Sequence, residues 1–183
     1  MKPNILFLVI DGLRADRCYG EKKSSITPNI DKLIQDGVKK LPITDINMTR
    51  FVIRLDQGVN FVLSALFSMS GGEIFVPKIP SLNIIDLVTC MAGKGQYEII
   101  GIRPGEKLHE IMCPADDSHL TIEFDDHFVI CPSIVFYSRT NDFTTNVIGE
   151  MGRYVEQGFE YSSGLNPHFL SQNEILEYNK KLD

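Results

Sequence analysis

The region between residues 55 and 102 alternates between helical and extended patterns, and this alternation is the feature that most restricts the fold. Two stretches with apolar residues at helical spacing are each followed by a short apolar run typical of a strand. In chain order the four stretches are LDQGVNFVLSALFSM (55–69), EIFV (73–76), NIIDLVTCMA (83–92) and QYEIIGI (96–102). Successive units of this kind predict an α/β fold.

The first predicted helix, residues 55–69, is amphipathic. Its apolar side chains recur at helical spacing, so that four of them share one face: Val59, Val62, Leu63 and Leu66. An apolar helix face normally packs against another part of the protein.

The rest of the chain is less regular. NILFLVI (4–10) is a continuous apolar run of the kind found in buried strands of parallel sheets. TPNIDKLIQDGV (27–38) predicts a short helix with Pro28 at its first position. Three more elements are predicted towards the C-terminus: strands at LTIEF (120–124) and FVICP (128–132), and a helix at SQNEILEYNKKL (171–182) capped by Ser171.

Composition excludes several classes of protein. The chain has 183 residues, of which 43% are hydrophobic, which suits one globular domain with a core. Its formal net charge of −6 argues against nucleic-acid binding, which needs a broad basic face. The N-terminal apolar run stops at Asp11 and is too short for a membrane span. We expect a reduced, cytoplasmic protein, because four cysteines in a chain this long do not suggest a disulfide framework, and they have no metal-binding spacing either: Cys18, Cys90, Cys113 and Cys131.

The stretch GIRPGEKLHE (101–110) has the most informative chemistry. Arg103 follows a predicted strand, and its planar guanidinium can hold two phosphate oxygens at once. Pro104 restricts the backbone, and Gly105 permits close approach of a ligand. Glu106 offers a carboxylate that can accept hydrogen bonds from two ribose hydroxyls. Together these residues predict a nucleotide-binding turn.

From about Leu33 to its C-terminus the chain resembles the C-terminal part of the inverting UDP-N-acetylglucosamine 4,6-dehydratases. These are extended short-chain dehydrogenase/reductase enzymes of bacterial surface-sugar pathways, including the pseudaminic acid pathway. The resemblance implies an N-terminal Rossmann domain that binds NADP in the intact enzyme, and a C-terminal lobe that holds UDP. It rests on KKLPITDINMTRF, LDQGVNFVL, GGEIFVPKIPS, IIGIRPGEKLHE, DDSHLTIEFDDHFVI and VEQGFEYSS.

The resemblance also implies roles for single residues. Arg103 and Glu106 of the RPGE motif would hold the diphosphate and the ribose, with Pro104 and Gly105 completing the motif. Arg50 of MTRF would reach the diphosphate from the other side. No metal ligand is implied.

Surface ion pairs are the alternative for the charged members of this set. Arg103 and Glu106 could pair with each other in an ordinary strand-to-helix turn. Arg50 could pair with Asp45 or Asp56. The residues alone leave both interpretations open.

The N-terminal stretch resembles another family. KPNILFLVIDGLRADRCYG, followed by TPNIDKLIQDGV, is similar to the opening of sulfatases and related hydrolases of the alkaline phosphatase superfamily, which implies Asp11 as a metal ligand. One carboxylate does not make a site for a hard cation. The nucleophile motif of that family, Cys or Ser followed by x-Pro-x-Arg, is absent, because Cys113 and Cys131 precede proline directly.

The parts of a dehydratase that carry its chemistry are missing from these 183 residues. No G-x-G-x-x-G loop for a dinucleotide occurs, since Gly93 and Gly95 lack the third glycine. Tyr19 and Lys23 match Y-x-x-x-K in letters only, because they lie in the sulfatase-like stretch. We therefore predict no catalytic residues and no cofactor in this chain, although NADP serves the intact family.

Two parts are expected: residues 1–38 as a sulfatase-like strand–helix segment, and residues 39–183 as the substrate-binding lobe of a nucleotide-sugar dehydratase. The predicted fold is α/β, a truncated extended short-chain dehydrogenase/reductase lobe with one N-terminal βα unit and no complete Rossmann domain. DKLIQDGV (31–38) fits both families, so a fusion there would give a chimera. The alternative is that the N-terminal βα unit is retained and donates one strand to the truncated sheet.

Three functions remain open. In the first, the chain binds UDP or a UDP-sugar without catalysis, or is an inactive fusion fragment. In the second, it is a non-catalytic module that associates with a full-length dehydratase or with itself. In the third, it is a metal-dependent hydrolase of the sulfatase type. No contact with nucleic acid or with a membrane is expected.

The stretch DDSHLTIEFDDH (116–127) gathers carboxylates and imidazoles that could coordinate a metal. We expect a solvated loop and strand edge there instead. His109 and Glu110 do not form an H-E-x-x-H motif, because position 113 is a cysteine. The polar residues of the stretch are Asp116, Asp117, His119, Asp125, Asp126 and His127.

Overall fold

A computed structural model describes residues 40–92, 94–95, 97–134 and 142–180. The strand predicted at NILFLVI, the helix predicted at TPNIDKLIQDGV and the residues Asp11, Tyr19 and Lys23 lie outside the described residues. The N-terminal βα unit of the predicted fold therefore stays a prediction.

Short strands and three α-helices make up the described part of the chain. In chain order the elements are β1 (Leu41–Ile43), β2 (Thr49–Phe51), α1 (Leu55–Ser68), β3 (Ile74–Pro77), β4 (Ser81–Asn83), α2 (Ile84–Ala92), β5 (Tyr97–Ile99), β6 (Ile111–Cys113), a 3₁₀-helix (Ala115–Leu120), β7 (Thr121–Glu123), β8 (His127–Ile130), β9 (Arg153–Tyr154), β10 (Tyr161–Ser162) and α3 (Gln172–Lys180). This mixture confirms the α/β class.

The largest sheet is antiparallel and has the strand order β3-β8-β7-β9. All four residues of β8 are buried, so both faces of this central strand are covered. One face contributes Val76, Phe128 and Ile130 to a cluster with Cys113 and Tyr161. The other face contributes to a second cluster, which contains Ile122, Phe124, Val129 and Cys131.

The predicted strands at 73–76 and 96–102 both exist, but they belong to different sheets. β3 pairs with β8 in the antiparallel direction, whereas β5 pairs with β1 in the parallel direction. The register of the parallel pair places Leu41 opposite Tyr97 and Ile43 opposite Ile99. The two helix–strand alternations therefore do not build one continuous parallel sheet, because the partner of each strand comes from a distant part of the chain.

Helix α1 confirms the prediction of a helix at 55–69 but does not pack through the predicted face. Its buried residues are Gly58, Ala65 and Ser68. The ring of Phe61 on this side approaches His127, with 6.1 Å between the ring centroids. The large apolar side chains lie on the exposed side: Leu55, Val59, Leu63, Leu66 and Phe67. An apolar surface is thus exposed on α1.

Helix α3 begins as its sequence predicts. The backbone N–H of Ser171 donates to Oε2 of Glu174 at 2.8 Å, and the N–H of Glu174 reaches Ser171 Oγ at 3.4 Å. This reciprocal pair is a capping box. The helix inserts Ile175 into a third core cluster beside Leu82 and Leu170. Among the described helices, none combines the length and the apolar content needed to cross a membrane.

His127 contradicts the expectation of a solvated strand edge. Its side chain is buried in β8, and its ring stacks on Phe124 with 4.7 Å between the centroids. Nδ1 lies 2.6 Å from Oδ1 of the exposed Asp126, while the buried Nε2 has no hydrogen-bond partner. The strand is central to its sheet, so the aromatic neighbours exclude water from the imidazole. The described residues contain no group of three or more His, Cys, Asp or Glu placed to hold a metal ion.

Candidate functional site

The RPGE motif forms a tight turn directly after β5. The backbone N–H of Glu106 donates to the carbonyl oxygen of Arg103 at 3.1 Å, which closes a four-residue turn. Pro104 occupies the second position, and Gly105 follows with φ of 84°. A proline followed by a residue in the left-handed region is typical of a type II turn, which glycine forms without strain. The sequence therefore encodes the shape of the turn locally.

The turn lies at one end of the parallel strand pair. It follows the carboxyl end of β5, and Thr44 follows the carboxyl end of β1. The hydroxyl of Thr44 donates to Oε1 of Glu106 at 3.2 Å, which ties the two strand ends together. Ligands of open parallel sheets bind at the carboxyl ends of the strands, so this is the expected end for a binding site.

The carboxylate of Glu106 is held by the turn itself. Its Oε2 accepts the backbone N–H of Arg103 at 3.1 Å, and this hydrogen bond is the main reason why the pKa of Glu106 is below its ordinary value. The nearby charges of Arg103 and Arg50 and the hydrogen bond from Thr44 lower that pKa further. Glu106 is thus ionised at neutral pH. Each carboxylate oxygen accepts about two hydrogen bonds, so accepting capacity remains for a ligand.

Arg103 projects from the turn into solvent. Its side chain is 69% exposed, and its Nε lies 3.6 Å from Oε2 of Glu106. The ion pair with Glu106 considered from the sequence is therefore present. It engages one side of the guanidinium, and among the described residues no acceptor bonds the two terminal nitrogens. A guanidinium in this position can present both of them to phosphate oxygens.

Arg50 occupies the middle of β2 and reaches the segment after the turn. Its Nη1 donates to the carbonyl oxygens of Thr49 at 2.7 Å and Leu108 at 3.2 Å, and its Nη2 donates to that of Lys107 at 3.0 Å. Nε lies 3.5 Å from Oε1 of Glu110. Three of the five N–H donors of Arg50 are therefore occupied by backbone carbonyls. Arg50 therefore lies beside the segment that follows the RPGE turn, and its guanidinium holds that segment by hydrogen bonds to its carbonyl oxygens.

The ion-pair partners suggested for Arg50 from the sequence are wrong. Asp56 pairs with Arg54 at 3.1 Å, and Oδ1 of Asp45 accepts the backbone N–H of Asn47 at 2.8 Å. The actual partner, Glu110, is 60 residues away in sequence and comes close only because the chain after the turn returns to β2.

A buried polar network supports the same segment, and sequence reasoning did not identify it. Thr49 Oγ1 lies 2.8 Å from Nδ1 of His109 and 2.7 Å from Oγ of Ser163. Ser163 Oγ also accepts the backbone N–H of Glu110 at 2.9 Å. Ser163 is fully buried, so these partners replace water.

Gly164 is a packing requirement of this network. A Cβ atom at this position would lie 2.7 Å from the ring of His109, closer than real side chains approach. The sequence signal for Ser163 was the YSS triplet within VEQGFEYSS, of which it is the last residue. The triplet gave no indication of its partners, which are 53 and 114 residues away.

The described residues do not fit a dinucleotide cofactor. Binding of a dinucleotide pyrophosphate needs a glycine-rich turn between a strand and the N-terminus of a helix. In the described part of the chain, β1 leads through residues 44–48 into β2, and β5 leads into the RPGE turn. No step through a nicotinamide is therefore derived for these residues.

Comparison with protein families gives one match. Residues 21–132 match the family model described as polysaccharide biosynthesis protein. The match includes β1, β5, the RPGE turn and most of the antiparallel sheet. It begins inside the segment 1–38 that resembles sulfatases, in the part that contains DKLIQDGV.

Two curated relatives are dehydratases. The chain is 54% and 52% identical to the inverting UDP-N-acetylglucosamine 4,6-dehydratases of Campylobacter jejuni serotypes O:2 and O:23/36. Each match extends over 155 residues and covers 85% of this chain and 46% of the relative. The chain thus spans about half the length of the curated relatives it matches.

More distant similarity extends to another enzyme and to a solved structure. The UDP-glucose 4-epimerase of Rickettsia canadensis is 33% identical over 112 residues, which are 59% of this chain and 33% of the epimerase. The X-ray structure of Pen from Bacillus thuringiensis superimposes with a TM-score of 0.62 at 26% identity, covering 87% of this chain and 47% of Pen. The structural match, like the sequence matches to the dehydratases, thus covers about half the length of the related protein.

Proposed function

The chain belongs to the polysaccharide biosynthesis protein family, and on this basis we propose that residues 39–183 form a lobe that binds UDP or a UDP-linked sugar at the RPGE turn. The observation that carries the proposal is the placement of this turn at the carboxyl ends of β1 and β5, with the guanidinium of Arg103 exposed. UDP also occurs in the names of the dehydratase and epimerase relatives, which share sequence with this chain.

The geometry of the turn supports the roles proposed for its residues. Arg103 holds the diphosphate through its terminal nitrogens, because a guanidinium matches two phosphate oxygens at once. Glu106 accepts hydrogen bonds from the ribose hydroxyls with the lone pairs that the turn leaves unused. Pro104 and Gly105 set the backbone shape that puts both side chains on the same turn.

Arg50 has a mixed role in this proposal. Three of its donors hold the carbonyls of Thr49, Lys107 and Leu108, and its Nε faces Glu110, so one N–H of Nη2 is left for the diphosphate. We therefore expect Arg50 to contribute more to the position of the turn than to direct contact with the ligand.

Binding without catalysis is the proposed activity of the chain. The reaction of the named dehydratases needs groups that the 183 residues do not supply, since the G-x-G-x-x-G loop is missing from them. We propose no cofactor for the described residues, a cytoplasmic location, and residues 1–38 as a separate segment. The family match begins at residue 21, so residues 21–38 also match the polysaccharide biosynthesis family.

Calorimetric titration of the folded full chain with UDP and with UDP-N-acetylglucosamine tests the proposal. Saturable binding is expected, and Arg103→Ala should weaken it at least about tenfold, because a hydrogen bond to a charged group contributes about 1.5–3 kcal/mol. Arg153→Ala is the matched control, since Arg153 is an exposed arginine on β9 that pairs with Glu123. No saturable binding by the folded chain, or equal losses in both variants, would contradict the proposal.

Association with another protein is a second candidate function, and the exposed apolar side chains of α1 favour it. The partner would be a full-length dehydratase or a second copy of this chain. Co-purification with a full-length dehydratase, reduced by Leu63→Lys on α1, is the expected result. A wild-type chain that stays monomeric and never joins the dehydratase would argue against the module.

A sulfatase-type hydrolase remains the third candidate and rests only on the N-terminal resemblance. Turnover of an aryl sulfate with added divalent metal, above a blank without protein, would establish it in place of the binding function. Asp11→Asn would have to abolish that turnover.

A further inference from the structure

The carboxylate of Glu106 is held by two hydrogen-bond donors that come from different parts of the fold. Its Oε1 accepts the hydroxyl of Thr44 at 3.2 Å, and its Oε2 accepts the backbone N–H of Arg103 at 3.1 Å. Within the described part of the chain, no other group donates a hydrogen bond to this carboxylate. The two donors follow the ends of β1 and β5, so the carboxylate joins both strands of the parallel pair.

A glutamate side chain does not fix the orientation of its own carboxylate. Rotation about the last side-chain bond has only a weak preference, so hydrogen bonds decide where the two oxygens point. The N–H of Arg103 alone would hold one oxygen and leave the other one able to move. The hydroxyl of Thr44 holds the second oxygen, and two fixed oxygens define the plane of the carboxylate.

Thr44 is itself held in place, which allows it to orient another group. The residue is 7% exposed, and the carbonyl oxygen of the preceding Ile43 accepts the N–H of Ile100 at 2.8 Å. The following Asp45 begins a turn in which its own Oδ1 accepts the N–H of Asn47 at 2.8 Å. Threonine is also β-branched and therefore stiff at its first side-chain torsion, so the hydroxyl has few alternative directions.

The contact with Thr44 leaves accepting capacity on Glu106 for a ligand. An ionised carboxylate can only accept, so the hydroxyl is the donor, and each carboxylate oxygen accepts about two hydrogen bonds. Each oxygen uses one of them inside the protein, so one accepting position remains on each. The side chain of Glu106 is 25% exposed, so these positions are within reach of a ligand. Two acceptors in one fixed plane match the two adjacent hydroxyls of a ribose.

We propose that Thr44 is a positioning residue of the binding site, whose hydroxyl orients the carboxylate of Glu106 towards the two ribose hydroxyls. Thr44 acts through Glu106 and does not contact the ligand. This inference rests on the proposed function, which puts the ribose of UDP at Glu106. Its chemical consequence is selectivity: the preference of the site for ribose over deoxyribose depends on the hydroxyl of Thr44.

Carbon-detected NMR titration of the full chain without ligand tests whether Thr44 orients Glu106. Thr44→Val keeps the shape of the side chain and removes the hydroxyl. The titration midpoint of Glu106 should rise in this variant, because a hydrogen bond to the charged carboxylate is lost. Thr44→Ser keeps the hydroxyl and should keep the midpoint near its wild-type value.

Thr144→Val is the matched control for the loss of a hydroxyl. The hydroxyl of Thr144 donates to Oδ1 of Asp142 at 2.6 Å, in the segment before β9. The variant should raise the titration midpoint of Asp142, whose pKa is lowered mainly by this hydrogen bond, and leave that of Glu106 unchanged.

Calorimetric titration with UDP and with deoxyuridine diphosphate, which lacks one of the two ribose hydroxyls, measures the consequence for binding. Wild type should bind UDP about tenfold more tightly, because the missing hydroxyl donates to a charged acceptor. Thr44→Val should lose most of this preference, whereas Thr44→Ser and Thr144→Val should keep it. The ratio of the two affinities is decisive, since a general structural loss would weaken the binding of both nucleotides equally.

Three results would overturn the proposal. The first is a Glu106 midpoint that stays at its wild-type value in Thr44→Val, and the second is a Thr44→Ser variant that behaves like Thr44→Val. The third is an unchanged preference for UDP in a folded Thr44→Val. If Thr44→Val does not fold, the wild-type chain decides: the methyl signal of Thr44 must shift with the same midpoint as the carboxyl carbon of Glu106.

Failure of the proposed function gives a different result. A folded wild-type chain that binds neither nucleotide would contradict UDP binding at the turn. The ligand-free titrations would still decide whether Thr44 orients the carboxylate of Glu106, because they use no nucleotide.

Discussion

The four-stranded antiparallel sheet and the parallel β1–β5 pair differ in burial, and the turn proposed to bind a ligand belongs to the more exposed of the two. The first buries side chains on both faces, with β8 fully covered and Ile122 inaccessible to solvent. The second exposes Ile99 at its edge and ends in a turn whose arginine extends into water. The difference teaches that the turn proposed to bind a ligand can be positioned by a few polar contacts while two buried core clusters lie on the other sheet.

The largest expected effect tests where the stability of the protein comes from. Ile122→Ala should lower the free energy of unfolding by about 3 kcal/mol, because it leaves a cavity in a fully buried cluster. Ile99→Ala is the matched variant on the other sheet and should cost less than about 1 kcal/mol, because the side chain is half-exposed. Urea denaturation measures both. Equal losses of unfolding free energy in the two variants would show that the two sheets contribute similarly to stability.

Ser163→Ala should have the next largest effect. It removes the acceptor of the Glu110 N–H and one partner of Thr49, and a buried polar group left unpaired costs about 2 kcal/mol. UDP affinity should fall as well, because the same contacts hold the segment after the turn. Ser70→Ala, at an exposed position, is the control. A loss of stability with unchanged affinity would show that the network supports the core and not the turn.

The pKa values of Glu106 and Glu123 test whether the two sheets respond to pH independently of each other. The pKa of Glu106 is lowered first by the N–H of Arg103, and that of Glu123 first by the hydrogen bond from Lys78 at 3.0 Å. A carboxyl group whose pKa is lower in the folded state stabilises that state above its unfolded pKa. This stabilisation is lost as the pH falls through the folded pKa, here below about 4.5.

Carbon-detected NMR titration checks this behaviour in wild type and in Lys78→Met. The variant should raise the titration midpoint of Glu123 and leave that of Glu106 where it is, because the two carboxylates belong to different sheets. A common shift of both midpoints would indicate that the sheets are coupled. Thr44→Val provides the reverse experiment, since it removes a hydrogen bond to Glu106 only.

Arg103→Ala should have the smallest effect on stability. The side chain is 69% exposed and its ion pair with Glu106 is at the surface, so the free energy of unfolding should change by less than about 0.5 kcal/mol. Denaturation and UDP titration of the same preparation sharpen the contrast, since affinity is expected to fall at least about tenfold. A variant that is strongly destabilised would mean that the turn is part of the core.

Local sequence signals predicted the three α-helices of the described residues and four of their ten strands, namely β3, β5, β7 and β8. Helix α1 was expected at 55–69 and occupies Leu55–Ser68, and Ser171 caps α3 as expected. The RPGE turn also followed from proline and glycine alone. Each of these features depends on residues within one or two turns of backbone. Residues that are close in sequence are therefore enough to predict it.

Distant contacts were not predictable in the same way. Sequence reasoning placed His127 at a solvated edge, suggested Asp45 or Asp56 for Arg50, and did not connect Thr49, His109 and Ser163. In the structure His127 stacks on Phe124 inside the sheet, and Arg50 faces Glu110. Each error involves a partner far away in sequence, which for His127 is Phe75 on β3, and periodicity and spacing cannot identify such partners.

The sequence by itself determined the α/β class, the helix boundaries, the shape of the turn at Arg103–Glu106 and the resemblance that led to the family. Only the tertiary structure decided that β3 pairs with β8 and β5 with β1, that the apolar side of α1 is exposed, and that a buried serine holds the segment after the RPGE turn. The physical reason is that helices and turns depend on short-range backbone preferences. Sheet pairing, burial and ion pairing depend on which distant segments meet when the chain closes its core.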